Sequence, residues 1–214
     1  MLKLGLHYLD LYLLHFPLPR EFESTLAAWR AFEKLLADGR VRAIGVCNFN
    51  PDHLASLIER SEVAPTLNQV ELHPYFVQES VRAANAKHGV LTQGWSPIGG
   101  IKRYWATDPN AVHDPLHDPV IGGIAEKYGK TAAQVILRWH IERGVSAIPK
   151  SSRDERLAEN IDVFDFQLTP EEVSAIDALD CNERGGPDPE VHDLGAMRER
   201  IAAQPWTDVR EDVA

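Results

Sequence analysis

A histidine closes the apolar run Tyr8-Leu9-Asp10-Leu11-Tyr12-Leu13-Leu14-His15-Phe16, just before the breaker Pro17. An imidazole at such a strand end can donate a hydrogen bond to a substrate carbonyl oxygen. A core histidine with internal partners is the competing reading. In Gly45-Val46-Cys47-Asn48-Phe49, Asn48 offers an amide donor and acceptor to a planar carboxamide; an Asx turn or helix cap would use the same groups. Cys47 reads as small core filler, because no base partner is adjacent in sequence. Gln69, in Asn68-Gln69-Val70-Glu71-Leu72-His73-Pro74, needs a partner, since an unpaired buried amide costs about 1–3 kcal/mol. A ligand amide or another core polar group would serve.

Trp95-Ser96-Pro97-Ile98 supplies a ring that could stack on a flat ligand and a hydroxyl that could reach a phosphate; a core tryptophan is the alternative. The densest signal is Pro149-Lys150-Ser151-Ser152-Arg153-Asp154-Glu155-Arg156. Three cations and hydroxyls gather there between a strand end and a helix start, where free N–H groups add to the pull on an anion. The guanidinium fork matches phosphate oxygens, so the segment reads as a phosphomonoester site, against the alternative of a solvated charge run. Asn160 lies one helical turn beyond Arg156 on the same face, with Glu159 beside it. His113, Asp114, His117 and Asp118 have metal-ligand chemistry but sit in a Pro-broken stretch that sets no ligand geometry, and no metal site is expected.

The elements that position these residues alternate. Strands are expected at Leu9–Phe16, Val41–Val46, Leu67–Leu72, Val90–Gly94 and Val145–Ile148. Helices are expected at Glu23–Asp38, from Pro51 (capped by Asn50) to Arg60, and at Gln78–His88 and Asp118–Tyr128. Further helices follow at Thr131–Arg143, Leu157–Asn160 and Pro170–Leu179. Near-continuously apolar strands, each followed by helix, make a parallel α/β sheet buried on both faces. A doubly wound sheet and a (β/α)₈ TIM barrel both fit. No Gly-x-Gly-x-x-Gly follows the first strand, and polar residues cluster at strand ends, which favours the barrel. A barrel has eight strands, and five are counted.

Composition narrows the classes. Net charge is −10, which argues against a general nucleic-acid or anionic-membrane binder. Two cysteines without metal or redox spacing suit a reducing compartment. Met1–His7 is too short and broken for a signal peptide, and no apolar run reaches transmembrane length, so a cytoplasmic location is the expectation.

In order, "YLDLYLLHFP", "GRVRAIGVCNF", "NQVELHPY", "GWSPIGG" and "GKTAAQVILRWHIERGVSAIPKSSRDERLAENIDVFDFQLTPEEVSAIDALD" resemble the aldo-keto reductase family, closest in flavour to bacterial reductases of diketogluconate or small aldehydes. The resemblance covers about residues 4–180. It implies NADPH-dependent reduction of aldehydes and ketones in a (β/α)₈ barrel, of which residues 1–180 form the last five βα units and 181–214 a tail. It also implies roles. His15 matches the catalytic histidine, Asn48 and Gln69 the carboxamide-holding pair, and Cys47 a position usually held by serine. Trp95 matches the nicotinamide-stacking aromatic, and Ser96 and Ile98 the pyrophosphate stretch. Lys150, Ser151, Arg153 and Arg156 match the 2′-phosphate site, and Glu159 and Asn160 the adenine contacts.

The family's tyrosine acid, aspartate and lysine belong to a "DTAxxYxNE"-like motif and its surroundings, absent from these 214 residues. The chain is therefore expected to be N-terminally truncated by roughly three βα units, about 90–100 residues at barrel dimensions. Tyr12 alternates away from His15, and Tyr8 begins the strand, so neither substitutes. An inactive NADP-binding remnant or partner subunit is the alternative function. The expected partner is a small carbonyl substrate, with no nucleic acid and no membrane. Self-association is expected through the open edges at the Leu9 and Val145 strands. Specificity in the family comes from loops, here Leu18–Glu23, Gly99–Asp118 and the tail, which holds an amphipathic piece at Met197–Ala203.

Overall fold

The computed structural model describes residues 4–100, 114–191, 193 and 195. Five strands form one sheet in chain order: β1 (Tyr12–Leu14), β2 (Ile44–Cys47), β3 (Leu67–Glu71), β4 (Leu91–Trp95) and β5 (Ser146–Ala147). Every neighbouring pair is parallel. The helices are α1 (Phe22–Ala37), α2 (Pro51–Glu59), α3 (Glu79–Lys87), α4 (Pro119–Tyr128), α5 (Ala132–Glu142), α6 (Asp154–Ile161) and α7 (Pro170–Asp177). The expected βα repeat is thus present. Among the described residues β1 and β5 are each paired on one side only.

Three differences from the sequence expectation have physical causes. The first strand is shorter than Leu9–Phe16: Leu9 makes only an isolated bridge to Val41, and pairing ends at Leu14 and Val46, just before the chain after β2 turns left-handed at Asn48. Burial on both faces fails at the edge, where Tyr12 is 40% exposed and, among the described residues, β1 has a strand on one side only. The sixth helix starts at Asp154 rather than Leu157, its first turn being charged and so without apolar periodicity.

Local signals set the helix ends. Pro51 opens α2, with the Asn50 N–H bonded to His53 Nδ1 at 3.3 Å. Thr131 and Gln134 form a reciprocal capping box on α5, as Thr169 and Glu172 do on α7. Gly39 leaves α1 at φ 67°, a conformation that costs a side chain strain.

The core has two parts. Leu26, Trp29, Ile44, Val46, Phe49, Leu54 and Leu57 fill the space between β1–β2 and α1–α2. Val70, Leu72, Ile121, Val135, Ile136, Trp139 and Ile176 fill the space under α4, α5 and α7. Tyr12 stacks on Phe32 of α1, Asn68 bonds Asn85 of α3, and Gly94 abuts His140 of α5. These residues face the helices. The residues alternating with them, including Leu13, Gly45, Cys47, Gln69, Glu71, Gln93 and Trp95, face the opposite, concave side. No described helix is long and apolar enough to cross a membrane.

Candidate functional site at the carboxyl ends of the strands

Parallel strands deliver their following residues to one rim, and the expected site residues come from four such ends. Asn48 follows β2 with φ 62°, and Ser96 follows β4 with φ 49°. Left-handed backbone at a non-glycine residue is held only where the surroundings enforce it. For Asn48 they do: its N–H donates to Gln69 O at 3.0 Å and its Nδ2 to His15 O at 3.0 Å. Its Oδ1 accepts from Trp95 Nε1 at 2.9 Å. Asn48 is 5% exposed, so these bonds are made largely away from water. The competing helix-cap reading fails, because it is Asn50 that precedes α2.

His15 is exposed, which removes the core-histidine reading. Its ring lies edge-on to Phe16, centroids 5.0 Å apart, and among the described residues its imidazole makes no hydrogen bond. The four described tyrosines are committed elsewhere. Tyr12 stacks on Phe32, Tyr8 lies under Arg42, Tyr75 donates to Asp118 Oδ2 at 2.8 Å, and Tyr128 donates to Glu172 Oε2 at 2.7 Å.

A polar ladder crosses the concave face just below the rim. Cys47 Sγ lies 3.9 Å from Gln69 Oε1, Gln69 Nε2 donates to Gln93 Oε1 at 2.6 Å, and Gln93 Nε2 donates to Ser146 Oγ at 3.0 Å. Gln69 is half-buried and finds a polar partner in the neighbouring strand rather than in the core. Among the described residues its Oε1 meets only the weak thiol donor. Burial pushes the Cys47 thiol up to about 12, so it stays protonated and is no nucleophile. Gln93 was missed from sequence. Its role depends on the register of β4 against β3, which pairs it with Gln69 and which local spacing does not encode.

Above the ladder, Glu71 is fully buried. Burial raises its pKa, but His73 and the N–H groups of Gly186 and Gly185 outweigh this, and the carboxyl is held below its ordinary range. Sequence reading also missed this anchor, whose partners lie 114 and 115 residues away.

A cavity of about 320 Å³ lies at the β5 end of the rim. Ile98 from the loop after β4, Lys150 and Ser151 after β5, and Arg156 and Asn160 of α6 all line it. Leu116, His117 and the Thr131–Ala133 turn complete it and carried no signal for this role in the sequence. Arg153 and Glu159 do not line it: Arg153 caps α6, and its N–H donates to Ser151 Oγ at 3.1 Å. A larger cavity, about 750 Å³, lies between the starts of α2 and α3 and residues 180–190, and holds none of the expected cofactor residues. His117 pairs with Asp114 at 2.7 Å, and Asp118 caps α4. His113 lies outside the described residues, as do 101–113 of the Gly99–Asp118 loop and the Met197–Ala203 piece of the tail. Among the described residues no group of three or more His, Cys, Asp or Glu could hold a metal ion.

Comparison with known proteins is consistent with this geometry. The aldo/keto reductase family matches residues 1–181. Morphine 6-dehydrogenase of Pseudomonas putida is 52% identical over 93% of the chain and 67% of its own length. Methylglyoxal reductase DkgA of Yersinia pestis is 45% identical over 88% of the chain and 64% of its own. The crystal structure of a Bombyx mori aldo-keto reductase in complex with NADP superposes with a TM-score of 0.76 at 35% identity, covering 92% of this chain and 64% of that one. The chain thus spans about two thirds of the length of these relatives. With five consecutive βα units, polar strand ends and a family match over most of its length, the chain belongs to the aldo/keto reductase family.

Proposed function

We propose that this chain carries the cofactor-holding part of an NADPH-dependent reductase that converts aldehydes and ketones to alcohols. The reading rests above all on the single cavity shared by Lys150, Ser151, Arg156 and Asn160. Two cations and a hydroxyl suit the 2′-phosphate that separates NADPH from NADH, and the donor set fits that group. NADPH, when bound, supplies the hydride that reaches the carbonyl carbon.

The chain's own residues would do the rest. Asn48 and Gln69 turn amide groups toward the carboxamide, with Cys47 a weaker neighbour than serine. Trp95 offers its ring for stacking. Ser96 and Ile98 border the pyrophosphate, while Arg153 and Glu159 flank the phosphate and adenine from outside the cavity. His15 donates to the carbonyl oxygen and orients it. Small carbonyl compounds are the substrate class, in keeping with the name of the methylglyoxal reductase relative. A cytoplasmic location suits the two free thiols, and self-association would run through the open edges of β1 and β5.

A second reading, a non-catalytic NADP-binding remnant or partner subunit, is favoured by the engagement of all four described tyrosines away from His15. One experiment separates the two: NADPH oxidation followed at saturating cofactor with a panel of small aldehydes and ketones, alongside direct NADPH titration. Turnover supports the reductase. Binding without turnover supports the remnant. No binding at millimolar NADPH overturns both.

A further inference from the structure

We infer that Glu71 is a positioning residue: it latches Gly185 and Gly186 over the rim so that Gly186 fixes the indole of Trp95. The inference deepens the cofactor reading above and rests on it for the purpose of the indole. Glu71 and Trp95 are register partners on neighbouring strands and face the same side. The Glu71 carboxylate accepts from Gly185 N at 2.7 Å and from Gly186 N at 2.9 Å, one oxygen to each. His73 Nε2 lies 3.1 Å from Oε1 and completes the anchor. A fully buried carboxylate with three donors is a strong local constraint, because each bond is charge-assisted and shielded from water.

Gly186 transmits the constraint by contact. A Cβ at that position would sit 2.4 Å from Trp95 Cη2 and 3.1 Å from Glu71 Oε2. The backbone of the tail therefore presses on the indole edge, and only hydrogen fits between them. From the other end of the ring, Nε1 donates to Asn48 Oδ1, and Asn48 Nδ2 donates to His15 O. An unbroken series of contacts thus runs from the tail through Glu71, Trp95 and Asn48 to His15. The same tail segment is held on its outer side, where Cys181 N and Glu183 N donate to Tyr75 O and Arg184 lies over the Phe76 ring at 4.7 Å. Releasing Glu71 alone should therefore loosen 184–186 without detaching the segment.

The test uses the full chain and two substitutions. Glu71→Gln keeps the shape and removes the charge. Gly186→Ala leaves Glu71 intact and pushes on Trp95; residue 186 does not require a left-handed backbone, so the added methyl acts through that contact. Tryptic cleavage after Arg184, read by mass spectrometry, should be about tenfold faster in Glu71→Gln than in the wild type. NADPH affinity should fall about tenfold in both variants, while affinity for 2′,5′-ADP, which has no nicotinamide, stays within about twofold. A global packing defect would lower both affinities together, so the split reports positioning. Unchanged cleavage in Glu71→Gln, or equal NADPH affinity in both variants and wild type, overturns the inference. Failure of the wild type to bind 2′,5′-ADP overturns the nucleotide reading instead, and the latch is then judged on cleavage alone.

Discussion

Trp95 Nε1 and Asn48 Oδ1 meet at 2.9 Å across the sheet, joining the end of β4 to the left-handed turn after β2. β3 lies between those two strands, so the bond spans the rim rather than following the ladder. It gives Asn48 a structural duty alongside its proposed cofactor role.

Asn48→Gly keeps the φ 62° backbone free of strain and removes two side-chain bonds, whereas Asn48→Ala removes the bonds and adds strain. We expect Asn48→Ala to be less stable than Asn48→Gly by about 1 kcal/mol, and both to be less stable than wild type. Urea midpoints measure this. An alanine variant at least as stable as the glycine variant would contradict the backbone argument.

Cys47 is 3% exposed with its thiol pushed up to about 12, while Cys181 is exposed. Burial and the Glu183 carboxylate also raise Cys181, so it should label slowly. Iodoacetamide at pH 8 should modify Cys181 in the native chain and Cys47 only after denaturation. Equal rates at the two sites would show that the β2 end is open to solvent.

His140 is buried in α5, its pKa pushed from 6.5 down to about 4, chiefly by desolvation. Its Nε2 lies 3.0 Å from Pro97 O, where a neutral ring donates. An unfolded imidazole takes a proton below 6.5 and the folded one only below about 4. Between those values the unfolded state binds more protons, so stability falls as pH is lowered through this window. The loss from this group should total roughly 3 kcal/mol by pH 4. Urea denaturation at pH 7, 5.5 and 4.5 should show His140→Gln losing less stability over that range than wild type. Parallel losses would rule out His140 as the acid-sensitive group.

The βα repeat was legible because apolar runs and capping signals recur along the chain. Asn50-Pro51 and Thr131 start their helices as read, and Gly39 ends its own. Lys150, Ser151, Arg156 and Asn160 were legible as a group because one strand end and one helix carry all four. Arg153, grouped with them by sequence, occupies the N-cap position of α6 and does not line the cavity. Glu71 and Gln93 were not legible as site supports. Their meaning depends on cross-strand register and on a tail more than a hundred residues distant from Glu71, and local spacing encodes neither. Likewise, the edge exposure of Tyr12 follows from which strand lies beside it, not from its own neighbours.

The central claim, that the Lys150–Asn160 rim holds a 2′-phosphate, is tested most directly by titrating the chain with NADPH and NADH, in wild type and in Arg156→Gln. We expect NADPH to bind wild type about 10–100-fold more tightly than NADH, and Arg156→Gln to lose most of that preference with little change toward NADH. Equal affinities for the two cofactors in wild type, or a preference that survives Arg156→Gln unchanged, would contradict the account.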